Sequence, residues 1–91
     1  MKLSQHQTEQ MIELARKHGA TRLVLFGSTL DAPEQARDLD LACDGVLGWK
    51  LYRLGGLLEE MLRINVDLMP LQPKTPFTNL IEKNGKVLYE A

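Results

Sequence analysis

The feature that most restricts the fold of this chain is segment 38–43, Asp-Leu-Asp-Leu-Ala-Cys, which begins with alternating polar and apolar side chains and stops at Asp44 and Gly45. A period of two is typical of a β-strand, because successive side chains of a strand point to opposite faces of the sheet. The pattern therefore predicts a strand that carries Asp38 and Asp40 on the same face. At a rise of about 3.3 Å per residue, their Cα atoms are ~6.6 Å apart.

The rest of the chain divides into helical and strand-like patterns on either side of this segment. Ser4 and Thr75 are predicted N-cap residues, and short apolar runs that end at glycine or proline predict strands. The predicted order is helix 4–18, strand 22–26, loop 28–37 with at most one helical turn, strand 38–43, helix 49–63, strand 65–69, helix 76–84 and strand 87–89. This order predicts a single α/β (α+β) domain over residues 1–91, with a small mixed β-sheet and helices packed on it.

Composition excludes several classes of protein. Eleven basic against twelve acidic residues give a net charge of −1, which excludes direct nucleic-acid binding by bulk charge. The single cysteine, Cys43, excludes a disulfide framework and a cysteine-based zinc site. No apolar run approaches the ~20 residues of a membrane helix, and the N-terminus becomes polar too early for a signal peptide. We therefore expect a cytoplasmic protein without a membrane span.

The helix predicted over 49–63 has two unusual features. Gly55 and Gly56 lie inside it, and each glycine costs about 0.8–1 kcal/mol relative to alanine, which indicates a kink or a close backbone approach. Trp49, Tyr52 and Arg53 fall on the face opposite the leucines. Exposed aromatic residues beside an arginine are typical of interface anchors. The alternative is that the two aromatic rings fold over the start of the helix and cover the edge of the core.

Gly27-Ser28 follows directly after the predicted strand 22–26. Glycine allows the backbone to approach a ligand closely, and free N–H groups together with a serine hydroxyl suit phosphate oxygens. The pair predicts a phosphate-binding turn, and the alternative is an ordinary turn that ends a strand.

Three aspartates form the second candidate constellation. Asp38 and Asp40 have the spacing of two carboxylates that hold a pair of divalent metal ions, and the alternative is the solvent face of an amphipathic strand. Asp67 lies in the apolar run Val-Asp-Leu-Met, where an outward-facing position on an edge strand is the alternative. Since aspartate is depleted in strands and like charges repel, a bound cation explains this arrangement better. If the strands that carry them are neighbours, the three carboxylates converge.

Three segments and their spacing together resemble the minimal nucleotidyltransferases. They are Leu-Phe-Gly-Ser ending at Ser28, then, after nine intervening residues, Asp38-Leu-Asp40-Leu, and later Val-Asp67-Leu. These are small members of the DNA polymerase beta superfamily that are often antitoxin partners of HEPN proteins. The resemblance implies a nucleotidyltransferase palm-like sheet and transfer of a nucleoside monophosphate, AMP from ATP, to a hydroxyl. It assigns Asp38, Asp40 and Asp67 as catalytic residues and ligands of two Mg²⁺ ions, and Gly27 and Ser28 as nucleotide-binding residues.

The resemblance also implies a partner and leaves an alternative open. The expected acceptor is a tyrosine of a HEPN-type protein, and Trp49, Tyr52 and Arg53 are the candidate contacts with it. Members of the family commonly have an arginine after Gly-Ser, whereas this chain has Thr29, Leu30 and Asp31. The missing guanidinium, for which Arg22 or Arg37 could in part compensate, favours a non-catalytic antitoxin that neutralises its partner by binding alone, while the three aspartates favour an enzyme. A general α/β interaction domain without nucleotide chemistry is the third possibility.

Overall fold

The computed structural model describes residues 2–91. Four helices and four strands follow one another in the predicted order, and the one-turn helix inside segment 28–37 is the single addition. Their bounds are α1 (Gln5–Lys17), β1 (Arg22–Phe26), α2 (Ser28–Asp31), β2 (Asp38–Asp44), α3 (Trp49–Leu62), β3 (Asn65–Pro70), α4 (Pro76–Asn84) and β4 (Lys86–Glu90).

The helix starts are explained by their capping residues. At α1, the Ser4 hydroxyl accepts a hydrogen bond from the backbone N–H of Gln7, whose side chain in turn accepts one from the backbone N–H of Ser4. The same reciprocal pattern joins Thr75 and Thr78 at α4. Such capping boxes satisfy N–H groups that a helix start otherwise leaves without partners. Both N-caps predicted from the sequence are therefore confirmed.

The four strands form one sheet in the order β3-β2-β1-β4. β1 pairs antiparallel with both β2 and β4, whereas β2 and β3 run parallel. A parallel pair needs a long crossover, and α3 supplies it between β2 and β3. The predicted small mixed sheet with helices packed on it is confirmed.

The two faces of this sheet are covered unequally. One face packs against α1 and α3 and forms the larger core, whose buried members include Leu39, Leu41 and Leu54. The other face has a smaller cluster in which Val24 and Ala42 pack against Ile81 of α4 and Leu71. Since α4 has only nine residues, the second face is covered over part of its area. The larger core fixes the sheet, and the partly covered face is left for other interactions.

The helix α3 continues without a break across the glycine pair. A Cβ atom at Gly55 would lie 3.7 Å from the Cβ of Leu68 in β3, which is ordinary van der Waals contact, and one at Gly56 would meet nothing within 4 Å. A side chain as small as alanine would therefore fit at either position, so neither glycine is required by a close approach of α3 to β3.

Within residues 2–91, no helix has both the length and the apolar character that are required to span a bilayer.

Candidate active site

The candidate site lies at the end of the sheet where β1 ends and β2 and β3 begin. The strand register pairs Phe26 with Asp40 across β1 and β2, and Asp40 with Asp67 across β2 and β3. Directly opposite residues of paired strands share a face, and their Cβ atoms are ~4.5–5.5 Å apart. The fold thus places Phe26, Asp40 and Asp67 in one row across three strands.

Asp38 lies on the same face as this row, two residues before Asp40 on β2. It is the face that α4 covers in part, since Ala42, the next residue of that face along β2, belongs to the α4 cluster. Asp38 and Asp67 are exposed and Asp40 is half-buried. The structure therefore brings all three predicted carboxylates to one uncovered end of the sheet.

Gly27 has a backbone conformation that few residues other than glycine adopt. Its φ of +71° lies in the region that favours glycine, and it is the N-cap of α2. A Cβ atom at this position would clash with a carboxylate oxygen of Asp40 and come within 3.0 Å of its Cγ. The Asp40 carboxylate therefore lies against the Gly27 backbone, in space that exists because Gly27 has no side chain.

The electrostatic environment of Asp40 disfavours its charged form. Burial raises the pKa of this carboxyl above its usual range, and the negative charges of Asp67 and Asp38 raise it further. A hydrogen bond from the backbone N–H of Ser28 opposes the shift. This contact links the predicted Gly-Ser turn directly to the predicted carboxylate pair. A cation among the three side chains would relieve the repulsion.

The donor set fits Mg²⁺, which prefers carboxylate oxygens and is usually held by one or two carboxylates together with substrate phosphates. Within residues 2–91, no group of three or more His, Cys, Asp or Glu side chains is arranged to hold a metal ion by itself. The carboxylates thus share a face without forming a closed cage.

Thr29 explains part of the departure from the family pattern, and sequence reasoning missed its role. Its side chain is 6% exposed, and its hydroxyl donates a 2.8 Å hydrogen bond to the carbonyl oxygen of Asp38. The residue that stands in the place of the common arginine therefore anchors α2 to the start of β2. No local pattern could reveal this contact, because its partners lie in different elements.

The cations available to a phosphate are fewer than the sequence suggests. Arg22 cannot compensate for the missing arginine, because it lies at the opposite end of β1 from Gly27 and pairs with Glu82 and Glu90. Lys74 also pairs with Glu82. Of these three basic residues, Arg37 alone lies next to the site, directly before Asp38.

The outer face of α3 is open. Trp49 is 69% exposed and Tyr52 is 87% exposed. The alternative in which these rings cover the edge of the core is therefore wrong, because the start of α3 is already packed through Leu51 and Leu54. The exposure leaves both rings available to a partner.

Comparison with known proteins identifies structural relatives. No protein-family model matches this chain, and no curated protein is similar to it in sequence. The toxin–antitoxin complex MntA-HepT contains a chain with a TM-score of 0.76 and 22% identity, over 97% of this chain and 74% of that one.

Two further structures agree with this result. One contains the tri-AMPylated Shewanella oneidensis HEPN toxin with its MNT antitoxin (TM-score 0.76, 22% identity, over 98% of this chain and 74% of that one). The other is a protein assigned as a minimal nucleotidyltransferase (TM-score 0.71, 29% identity, over 88% and 87%). The resemblance predicted from the sequence is thus confirmed in three dimensions, and the chain has the fold of the minimal nucleotidyltransferases.

Proposed function

We propose that this chain is a metal-dependent nucleotidyltransferase that transfers AMP from ATP to a hydroxyl of a HEPN-type partner protein and acts as its antitoxin. One observation carries the proposal. Asp38, Asp40 and Asp67 share the uncovered end of one sheet face, and the Asp40 carboxylate lies directly against the Gly27-Ser28 turn. Carboxylates and a phosphate-binding turn are the two components that nucleotidyl transfer requires in one place.

Each residue has a distinct role in this reaction. Asp38 and Asp40 would hold two Mg²⁺ ions, which, when bound, neutralise the triphosphate and its pyrophosphate leaving group. Gly27 lets the Asp40 carboxylate lie against the backbone of the turn, and the exposed Ser28 can donate its hydroxyl to phosphate oxygens. Asp67 lies one strand away from Asp40 and takes up the proton of the partner's hydroxyl. As it does so, the hydroxyl oxygen forms a bond to the α-phosphorus of ATP, and the bond from that phosphorus to pyrophosphate breaks.

The comparisons support both the nucleotide and the partner. A structural relative with a TM-score of 0.79 and 23% identity is a toxin–antitoxin protein with AMP-PNP, an ATP analogue. In another relative the HEPN toxin is tri-AMPylated and stands in complex with the MNT antitoxin. These two cases support ATP as the donor and a HEPN-type protein as the acceptor. The exposed Trp49 and Tyr52, with the neighbouring Arg53, are proposed contacts with that partner.

A second function, neutralisation of the partner by binding alone, is favoured by the small number of basic side chains available to a phosphate at the Gly-Ser turn. Thr29 is engaged with the backbone of Asp38, and Arg22 and Lys74 pair with Glu82. A charge-assisted hydrogen bond is worth about 1.5–3 kcal/mol, so a site without an arginine holds a triphosphate less tightly. The presence of three carboxylates on one face is left unexplained by this second function.

Incubation with α-labelled ATP, Mg²⁺ and a candidate HEPN-type partner, sought first as the product of the neighbouring gene, separates the two functions. Label on the partner, lost when EDTA removes the metal, is the result expected of the enzyme. A stable complex of the two proteins without label would establish the binding-only antitoxin. Neither label nor complex would refute both.

A further inference from the structure

A groove runs along the free edge of β3 and is lined in part by Asp67, the proposed proton acceptor. It has a volume of about 320 Å³ and is lined by Tyr52, Gly55, Gly56 and Glu59 of α3 and by Val66 and Asp67 of β3, among others. Val66 belongs to the α1/α3 face of the sheet, whereas Asp67 lies on the opposite face with Asp40. The groove therefore passes around the edge of the sheet and opens at Asp67.

The two glycines of α3 keep this groove open without serving the packing of the chain. A Cβ at Gly56 would meet nothing, and one at Gly55 would make only ordinary contact with Leu68. Neither residue has a positive φ, so the backbone does not require glycine. Each costs about 0.8–1 kcal/mol of helix stability relative to alanine. Space outside the helix, and not the fold, accounts for the pair.

The edge of β3 is closed to another strand. Glu59 accepts a 3.1 Å hydrogen bond from the backbone N–H of Val66, and Pro70 at the end of the strand has no N–H to donate. A strand edge blocked by a side chain and a proline resists the addition of a further strand. An occupant of the groove therefore inserts side chains and does not extend the sheet.

We propose that this groove receives the acceptor: a segment of a partner protein that presents a hydroxyl side chain to Asp67 and carries basic residues beside it. The inference rests on the proposed function, since it assigns Asp67 as the group that takes the hydroxyl proton. Glu59 and Asp67 give the groove a negative lining that complements basic residues. Tyr52, 87% exposed at its border, supplies an aromatic surface of the kind that anchors protein partners.

The substitution Gly56→Phe fills the groove and tests the proposal, with Lys50→Phe as the matched control on the same helix. Lys50 is exposed and does not line the groove. The readouts are thermal melting, Mg·ATP binding, and transfer to the HEPN-type partner at varied partner concentration. Gly56→Phe is expected to fold, to bind Mg·ATP as the wild type does, and to raise KM for the partner by about tenfold or more. Lys50→Phe is expected to match the wild type in all three.

Tyr52→Ala provides the second variant, because it removes an exposed side chain and does not threaten the fold. It is expected to raise KM for the partner and to leave KM for ATP unchanged. If both variants transfer with the wild-type KM for the partner, the acceptor binds elsewhere and the groove proposal is overturned while the proposed function stands. If the wild type itself shows no transfer, the proposed function fails first and the groove assignment fails with it.

Discussion

At the scale of single residues, Asp40 matters most, because its surroundings in the free protein disfavour its negative charge. It is half-buried, faces Asp67 across the strand pair, and has Asp38 two residues away on the same face. Burial and two like charges raise the pKa of its carboxyl, and one backbone N–H from Ser28 only partly compensates. A residue whose charge destabilises the free protein is explained by the ligand that the site binds.

Because its surroundings disfavour the charged form of Asp40, we expect Asp40→Asn to be more stable than the wild type at neutral pH without divalent ions. Because the folded state raises the pKa above the ordinary 3.8, it binds the proton more tightly than the unfolded chain, so stability falls as pH rises through this range. An asparagine amide does not titrate, so the advantage of the variant should be absent at low pH and complete above the folded-state pKa. Urea unfolding should show a difference of a few tenths of a kcal/mol, roughly the size of a cross-strand charge pair. Equal stability at every pH would contradict the electrostatic account.

The contact between Gly27 and Asp40 predicts the effect of a single added methyl group. Gly27→Ala strains a residue at φ +71° and drives Cβ into the Asp40 carboxylate. Gly48→Ala is the matched control, since Gly48 has φ +64° and a Cβ there would meet nothing within 4 Å. The control isolates the strain of a positive φ with an extended ψ, about 1–3 kcal/mol. Denaturant unfolding should show a larger loss for Gly27→Ala, and equal losses would show that Asp40 does not occupy this space.

At the level of elements, the sequence determines most of the helices and strands by local chemistry. The capping patterns at Ser4 and Thr75 predict two helix starts, and glycine or proline residues mark the ends of the strands. The one-turn helix α2 is harder to predict, because its residues show no period and it is held by the contact of Thr29 with the backbone of Asp38. The role of the glycines in α3 also becomes clear only once β3 is in place beside them.

The end of α3 offers a test of helix energetics away from the site. Arg63 caps the helix in the left-handed conformation, with φ +61° and ψ +35°, at a position where glycine is the usual residue. Arg63→Gly should therefore raise the free energy of unfolding by about 1 kcal/mol, since glycine adopts this conformation without a Cβ clash. Thermal melting of the two proteins checks the prediction, and a lower melting temperature for the variant would refute it.

At the scale of the whole molecule, the site exists because of strand topology. The sequence predicts Asp38 and Asp40 on one face from their spacing alone, but the position of Asp67 depends on which strand β3 joins and in which register. The parallel pairing of β2 with β3 places Asp67 opposite Asp40, and a shift of one residue would move its side chain to the other face. Such long-range pairing leaves no signal in the local sequence. The sequence therefore places Asp67 beside Asp38 and Asp40 only on the condition that their strands are neighbours.

The same topology explains why the candidate site is open. α1 and α3 cover one face of the sheet, and the short α4 covers only part of the other, where Phe77 meets Phe26 edge to face with ring centroids 6.1 Å apart. Asp40 lies against the start of α2, whereas Asp38 and Asp67 are exposed. We therefore expect a partner to complete and close the site.

The most direct test of the central claim compares AMP transfer by Asp40→Asn and Asp44→Asn. Both substitutions remove one carboxylate from β2, but Asp44 lies at the far end of the strand, opposite Arg22. With α-labelled ATP, Mg²⁺ and the HEPN-type partner, the account predicts that Asp40→Asn folds and binds the partner but transfers no label, whereas Asp44→Asn transfers as the wild type does. Wild-type transfer by a folded Asp40→Asn protein would show that the carboxylate row is not the catalytic centre.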